Sequence, residues 1–358
     1  MTTFHHPQTN DKRQKTALFR YGILAPLLSG VTEDALSNQA FFRDAANKIY
    51  TTPSGVDTTI SAITLERWYY SYQKHGFDGL LPKQRNDNGL SRKLDDDMTE
   101  VIVLISKPPA PEVAASILDE AKGASKPIVV CFLGGDPKMV RDHGLIAAQT
   151  LEDAARQAVR AETGSDAHSH CAPTPDLPKL AKEQKYVRGL FSGGTFCYEA
   201  LLLLREFVGD VSSNTPINKQ MKLKNNNIST GHVCIDFGED EFTVGRPHPM
   251  LDFRFRNDRI VQEARDPETA VILLDPVLGY GANADPAGAL MPAIRKAMEV
   301  ARAEGRTLAI VASVCGTSDD LQGLEQQKAS LREAGVTVLS SNAQASRFAG
   351  QIAQATQK

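Results

Sequence analysis

A chain of 358 residues, 41% of them hydrophobic, has room for two or three domains with sizeable cores. No apolar run reaches the ~18 residues that a membrane span needs. The net charge of −3 excludes a protein that coats nucleic acid along its whole length, although residues 1–93 carry 12 Lys and Arg against 8 Asp and Glu, a balance that favours an anionic partner for the front end.

The opening stretch MTTFHHPQTNDKRQK is polar and has no apolar core like that of a signal peptide. Residues 1–15 are therefore expected to be a disordered tail. The five cysteines, at 131, 171, 197, 234 and 315, make no CxxC pair. Reduced thiols in a cytoplasmic protein are the plain reading.

Residues 16–95 pattern as a small all-α domain. Ala17–Leu28 has helical spacing, with Pro26 set to kink or end it. Asn38–Tyr50 places Phe41, Phe42, Ala45 and Ile49 near one stripe. After a turn at Pro53-Ser54-Gly55 comes a helix over Ile60–Lys74, with Ser61 or Thr64 as its cap and Gly76 as its stop. Phe77–Leu81 is a short apolar clasp and Pro82–Lys93 a basic arm. Short helices, a turn, a helix carrying Arg67 and Trp68, and a basic arm follow the order of a helix-turn-helix, whose helix N-terminus and nearby cations suit a DNA major groove. Through TLERWYY and GFDGLLPKQR the segment resembles the N-terminal DNA-binding part of integrases and transposases. That resemblance implies DNA as a partner through residues 16–95, with Thr64, Arg67, Lys83 and Arg85 as its contacts. The alternative keeps Trp68, Tyr69 and Phe77 as core and Arg67 on a solvated face.

Around Asp95–Val101 the pattern changes. Glu100–Ser106 is a continuous apolar strand of the kind buried on both faces. A helix over Pro111–Ala124, a strand over Pro127–Leu133, a turn at Gly134-Gly135-Asp136 and a helix over Leu151–Ala161 complete a β-α-β-α unit, hence a parallel sheet. Two long strands cannot make a sheet of independent stability. Residues 100–160 are thus expected to be a partial α/β unit that adds to another sheet, or the tail of a larger fold. Residues 161–185 read as a linker, where His168, His170 and Cys171 lie together without four-ligand spacing, so no metal is expected.

From 186 to 358, strands alternate with helices: Val187–Phe191, Val233–Phe237, Val271–Asp275, Thr307–Ala312 and Val336–Ser340 against Thr195–Val208, Pro286–Glu304, Leu321–Ala334 and Ser346–Ala355. The pattern predicts a flavodoxin-like doubly wound parallel sheet, with ligands at the carboxyl ends of its strands. Ser192-Gly193-Gly194-Thr195 lies at such an end, where glycine lets backbone approach a ligand and free helix N–H groups attract a phosphate-like anion. A second Gly-rich exit carries Asp275, Gly279 and Gly281, and a third has Ser318 or Asp319 as a helix cap. In Gly245–Asp252, His248 lies near Arg246 and Asp252 and could serve as acid/base or phosphoryl acceptor. A structural histidine is the commoner alternative.

From about Glu100 onward the chain resembles the FdrA family, relatives of succinyl-CoA synthetase, through VIVLISKPPAPEVA, KPIVVCFLGGDP, GLFSGGTFCYEALLLL, DEFTVGRPHPMLD, RNDRI and VILLDPVLGYGANADPAGAL. The resemblance implies an acyl-CoA synthetase-like architecture and reactions in which phosphate attacks an acyl or carbamoyl carbon. It marks Ser192–Thr195 as the phosphate turn, His248 and Asp252 as catalytic, and Asp275 and Gly279 as the second turn. Other subunits of a ligase or transferase complex, or a homo-oligomer, are the implied partners, with no membrane. The family's CoA-binding domain has no counterpart here, so no CoA site is expected and phosphate or a nucleotide is the implied ligand. His143 lacks a phosphohistidine motif around it and is expected at the surface. A DNA-binding regulator that senses a small anion, and a mobile-element fusion without function, are the competing readings.

Overall fold

Two units divide the chain, Met1–Leu94 and Asp95–Lys358. The computed structural model describes residues 7–29, 38–82 apart from 54 and 56, 99–165 and 175–356.

In the first unit, Ala17, Leu24, Phe41, Phe42, Leu65 and Leu80 form one core, because the apolar positions of three helices recur at helical spacing. These are α1 (Pro7–Leu28), α2 (Asn38–Ala46) and α3 (Ala62–His75). The Ser61 hydroxyl accepts from the Thr64 N–H at 3.3 Å and caps α3. Three expectations change. Residues 7–15, expected in a disordered tail, belong to α1, which also runs two residues past Pro26. The unit is not all-α, since β1 (Tyr50–Thr51) pairs antiparallel with β2 (Asp57–Thr58). This ladder occupies part of residues 47–61 between α2 and α3, where a helix-turn-helix would have a turn of only about 3–4 residues. Trp68 and Tyr69 pack against the core, whereas Ile49 is exposed.

The second unit holds two parallel sheets. The smaller has the order β3 (Ile102–Ser106), β4 (Ile128–Phe132), β5 (Ile146–Ala147). It is followed by α6 (Leu151–Thr163), after α4 (Pro111–Ala121) and α5 (Pro137–Asp142). Residues 100–160 therefore do not join another sheet. β5 supplies a third strand, α4 and α5 cover one face, and the other face packs through Ala154 of α6 onto Tyr198 and Leu202. At the edge, β3 leaves Val103 and Ile105 exposed. α6 also carries on into the expected linker, near whose end Gln184 is buried and donates to the carbonyls of Thr269 and Thr307.

The larger sheet is built from β6 (Tyr186–Phe191), β7 (Ser212–Ser213), β8 (Val233–Asp236), β9 (Thr269–Leu274), β10 (Ala309–Ser313) and β11 (Thr337–Leu339), in the order β11-β10-β9-β6-β8-β7. The pairings are parallel throughout. Without the edge strand β7 this is the 2-1-3-4-5 order of flavodoxin-like sheets. Helices α7 (Gly194–Val208) and α12 (Asn342–Ala355) cover one face, and α9 (Arg254–Ala264) and α10 (Pro286–Ala303) the other. Along β9, Val271 and Leu273 enter the first core and Ile272 and Leu274 the second, which is why the strand is apolar without alternation. The remaining helices are α8 (Asp240–Thr243) and α11 (Leu324–Glu333). Among the described residues no helix is long and apolar enough to cross a membrane. Strand order reverses at β6, which lies between β8 and β9, so a crevice is expected at the carboxyl ends of β6 and β9.

Candidate functional site

At that crevice, the chain leaves β6 through Ser192 and Gly193 and enters α7, while Asp275 follows the last residue of β9. The Asp275 carboxylate accepts the backbone N–H groups of Ser192 and Gly193, both at 2.8 Å, and the Ser192 hydroxyl at 3.2 Å. Arg256 of α9 donates Nη1 to it at 2.8 Å, and the side chains of the pair are 0% and 1% exposed. The turn expected to hold phosphate through Ser192 and Gly193 thus already holds a carboxylate of this chain. Burial pushes the Asp275 carboxyl up to about 6, against the pull of Arg256 and the turn N–H groups.

One step further the α7 terminus is open. Its N-cap, Gly193, offers no side-chain bond, and the first helical bond runs from the Cys197 N–H to the Gly193 carbonyl. The N–H groups of Gly194, Thr195 and Phe196 have no partner among the described residues. Thr195 is exposed. Glycine at 194 leaves room for the Asp236 carboxyl: a Cβ there would stand 2.5 Å from its Oδ2 and 3.6 Å from Lys107 Nζ, so a side chain would displace that carboxyl. Lys107 reaches this point from the end of β3, its ammonium 5.8 Å from the Tyr198 ring.

Asp236 ends β8, where Asn214 fixes its backbone and the Gly238 N–H donates to its Oδ1 at 2.9 Å. Burial raises its carboxyl, while the Gly238 N–H, Lys107 and His248 pull it back. His248 accepts the Met250 N–H at Nδ1. Its Nε2 and Asp236 Oδ1 lie 3.2 and 3.1 Å from where a Cβ on Gly238 would stand. His248 and Asp236 therefore flank one small gap beside the α7 terminus. An oxyanion can be held there by helix N–H groups and an ammonium, with an imidazole and a carboxyl as proton carriers.

Asp252 is used elsewhere. It accepts from Arg254 N, Nε and Nη2, which hold its carboxyl down at about 2, so it stays ionised at ordinary pH and cannot carry a proton. Gly279 exchanges hydrogen bonds with the Gln322 side chain, and Gly281 adopts a positive φ of 81° with open space around it. Of the second Gly-rich turn, only Asp275 reaches the first. In the third, Asp320 rather than Ser318 or Asp319 accepts the Thr317 N–H, and α11 starts after Gly323 without a side-chain cap. Thr64 bonds to the Ser61 hydroxyl at 2.9 Å and Arg67 is exposed on α3. Lys83, Arg85, His168, His170 and Cys171 lie outside the described residues. His143 is partly buried, with Nδ1 2.7 Å from the Met139 carbonyl. Among the described residues no cluster of three His, Cys, Asp or Glu could hold a metal.

Lys107, Asp236 and Arg256 escape sequence reading. Two of them sit just where apolar strands end, the one local sign they carry. Arg256 is hidden in a charged helix.

The CoA-ligase family model matches residues 190–352, from β6 into α12. The "Uncharacterized protein YahF" of Escherichia coli (strain K12) is 45% identical over 254 residues, 69% of this chain and 49% of YahF. The chain thus spans about half the length of this curated relative. Among solved structures, the chain is similar to the Ca. Korarchaeum cryptofilum dinucleotide-forming acetyl-coenzyme A synthetase 1, in complex with phosphate and ADP, with 14% identity, a TM-score of 0.33 and coverage of 73% of this chain and 54% of that one. PH0766 from Pyrococcus horikoshii OT3 gives 12% identity, a TM-score of 0.32, and 73% and 53%.

Proposed function

We propose that this chain, whose residues 190–352 are a CoA-ligase domain, is an FdrA-like, acyl-CoA-synthetase-type protein that holds a phosphate-like anion at the start of α7. The observation that carries the reading is the row of unpartnered N–H groups from Gly194 to Phe196 beside the Lys107 ammonium. Ser192 and Gly193 act indirectly: by binding Asp275 they set the direction of the helix terminus. In the reaction, a phosphate oxygen forms a bond to an acyl or carbamoyl carbon. The bond from that carbon to its leaving group breaks, and the leaving group takes a proton from Asp236 or His248. Partner subunits supply the acyl or carbamoyl carrier.

Titration calorimetry of the full chain with inorganic phosphate tests this reading. Binding is expected, and Gly194→Ala should weaken it, since its methyl would displace the Asp236 carboxyl beside the helix terminus. Lys107→Ala should weaken it by about tenfold, the loss of one charge-assisted bond. Equal affinity in both variants and the parent would overturn the anion site. Turnover of acyl or carbamoyl substrates by the pure chain would overturn the need for partners.

A further inference from the structure

Next to the turn lies a groove of about 410 Å³. Phe237, Phe242 and Phe255 make an aromatic floor, with ring centroids 5.0, 5.5 and 5.7 Å apart. Pro247 and Pro249, on either side of His248, line it as well. So do Arg246 and Arg256. Arg246 stands 5.2 Å over the Phe255 ring and has no carboxylate partner among the described residues. Arg256 is 1% exposed, gives Nη1 to Asp275 and lies 4.6 Å over the Phe253 ring, yet its Nε and Nη2 have no hydrogen-bond acceptor among the described residues. Buried guanidinium N–H groups without acceptors are unfavourable, and a carboxylate matches their fork geometry. The third arginine at the groove, Arg254, is already taken by Asp252.

We infer that this groove binds a small organic acid with an aromatic or branched apolar body, its anionic head toward Arg256 and Arg246 and its body on the phenylalanines. The groove abuts His248 through Pro247 and Pro249, but the acid is not placed in the phosphate step, since a free carboxylate has no leaving group for phosphate to displace. Its binding does not rest on the phosphate reading above. A carboxylate and a phosphate ester share the required chemistry, so the probes separate them.

The full chain is titrated with benzoate, phenyl phosphate and acetate. Benzoate should bind about tenfold more tightly than acetate, through its added buried apolar area. Arg246→Ala and Phe255→Ala, both at solvent-accessible positions, should each weaken benzoate by about tenfold and leave the affinity for inorganic phosphate unchanged. The site fails if benzoate and acetate bind alike, or if both variants bind benzoate as the parent does. Binding of phenyl phosphate without benzoate would overturn the acid in favour of a phosphate ester. Benzoate binding that depends on Arg246, in a chain that does not bind inorganic phosphate, would keep the groove and remove the phosphate reading.

Discussion

Asp275 and Arg256 are both driven toward their neutral forms by burial, so desolvation outweighs their attraction even at 2.8 Å. Such a pair specifies geometry more than it stabilises. Removing one partner leaves the other charge buried alone, and Asp275→Asn or Arg256→Met should each cost roughly 3–5 kcal/mol in urea denaturation at pH 7. The double variant should lose much less than the sum, because no unpaired charge remains. Additive losses would mean that the two side chains act separately. Both Asp275 and the Ser192-Gly193 turn stand out in the amino-acid order as strand exits. That one fills the other does not, since they are 83 positions apart and meet only because β9 lies beside β6.

Helix α9, RFRNDRIVQEA, has the composition of a solvated surface, yet Arg256, Arg259 and Glu263 are buried in it. Glu263 pairs with Arg259 and, at 2.9 Å, with Arg188 of β6. Charged residues are almost never fully buried unless paired. Arg259 and Glu263 pair within the helix, but Arg256 pairs with Asp275 and Glu263 also with Arg188, and those two partners on other elements are what local pattern misses. The three-stranded sheet shows the same limit. Its third strand is two residues long, and its support is helical docking rather than pairing in the plane. Glu199 of α7 makes that junction, accepting the Leu151 N–H at the start of α6 and the Asn342 amide at the start of α12, each at 2.7 Å. Glu199→Ala leaves the Leu151 N–H without its acceptor and the Asn342 amide with only the Phe196 carbonyl, and should cost roughly 1–3 kcal/mol. Hydrogen exchange should accelerate in β3 to β5 before β6 and β9. Uniform acceleration would show one cooperative unit instead of a docked sheet.

Stability against pH depends on residues spread over the second unit. His232 accepts the Val187 N–H, and burial and then Arg188 lower its pKa to about 4. A depressed base stabilises the fold above its unfolded value, about 6.5, and loses that contribution as pH falls through 4. Asp275, raised to about 6, acts oppositely: its contribution is present below its unfolded value of about 3.9 and is lost as pH rises through 6. The two partly cancel between pH 4 and 6. His232→Asn keeps an acceptor but cannot be charged, so its stability relative to the parent should rise steadily from pH 7 to 4.5 in urea melts. A flat difference would mean that His232 is not held neutral. Apolar strands, glycine exits and amphipathic helices are local patterns, and they sufficed to identify a doubly wound parallel sheet in residues 186–358. The separate third-strand sheet, the buried charges of α9, the carboxylate that fills the first turn, and the meeting of Lys107 with Asp236 and His248 were decided by the tertiary structure. Each depends on which strands become neighbours, and crossover connections set that adjacency over distances where residue periodicity carries no information.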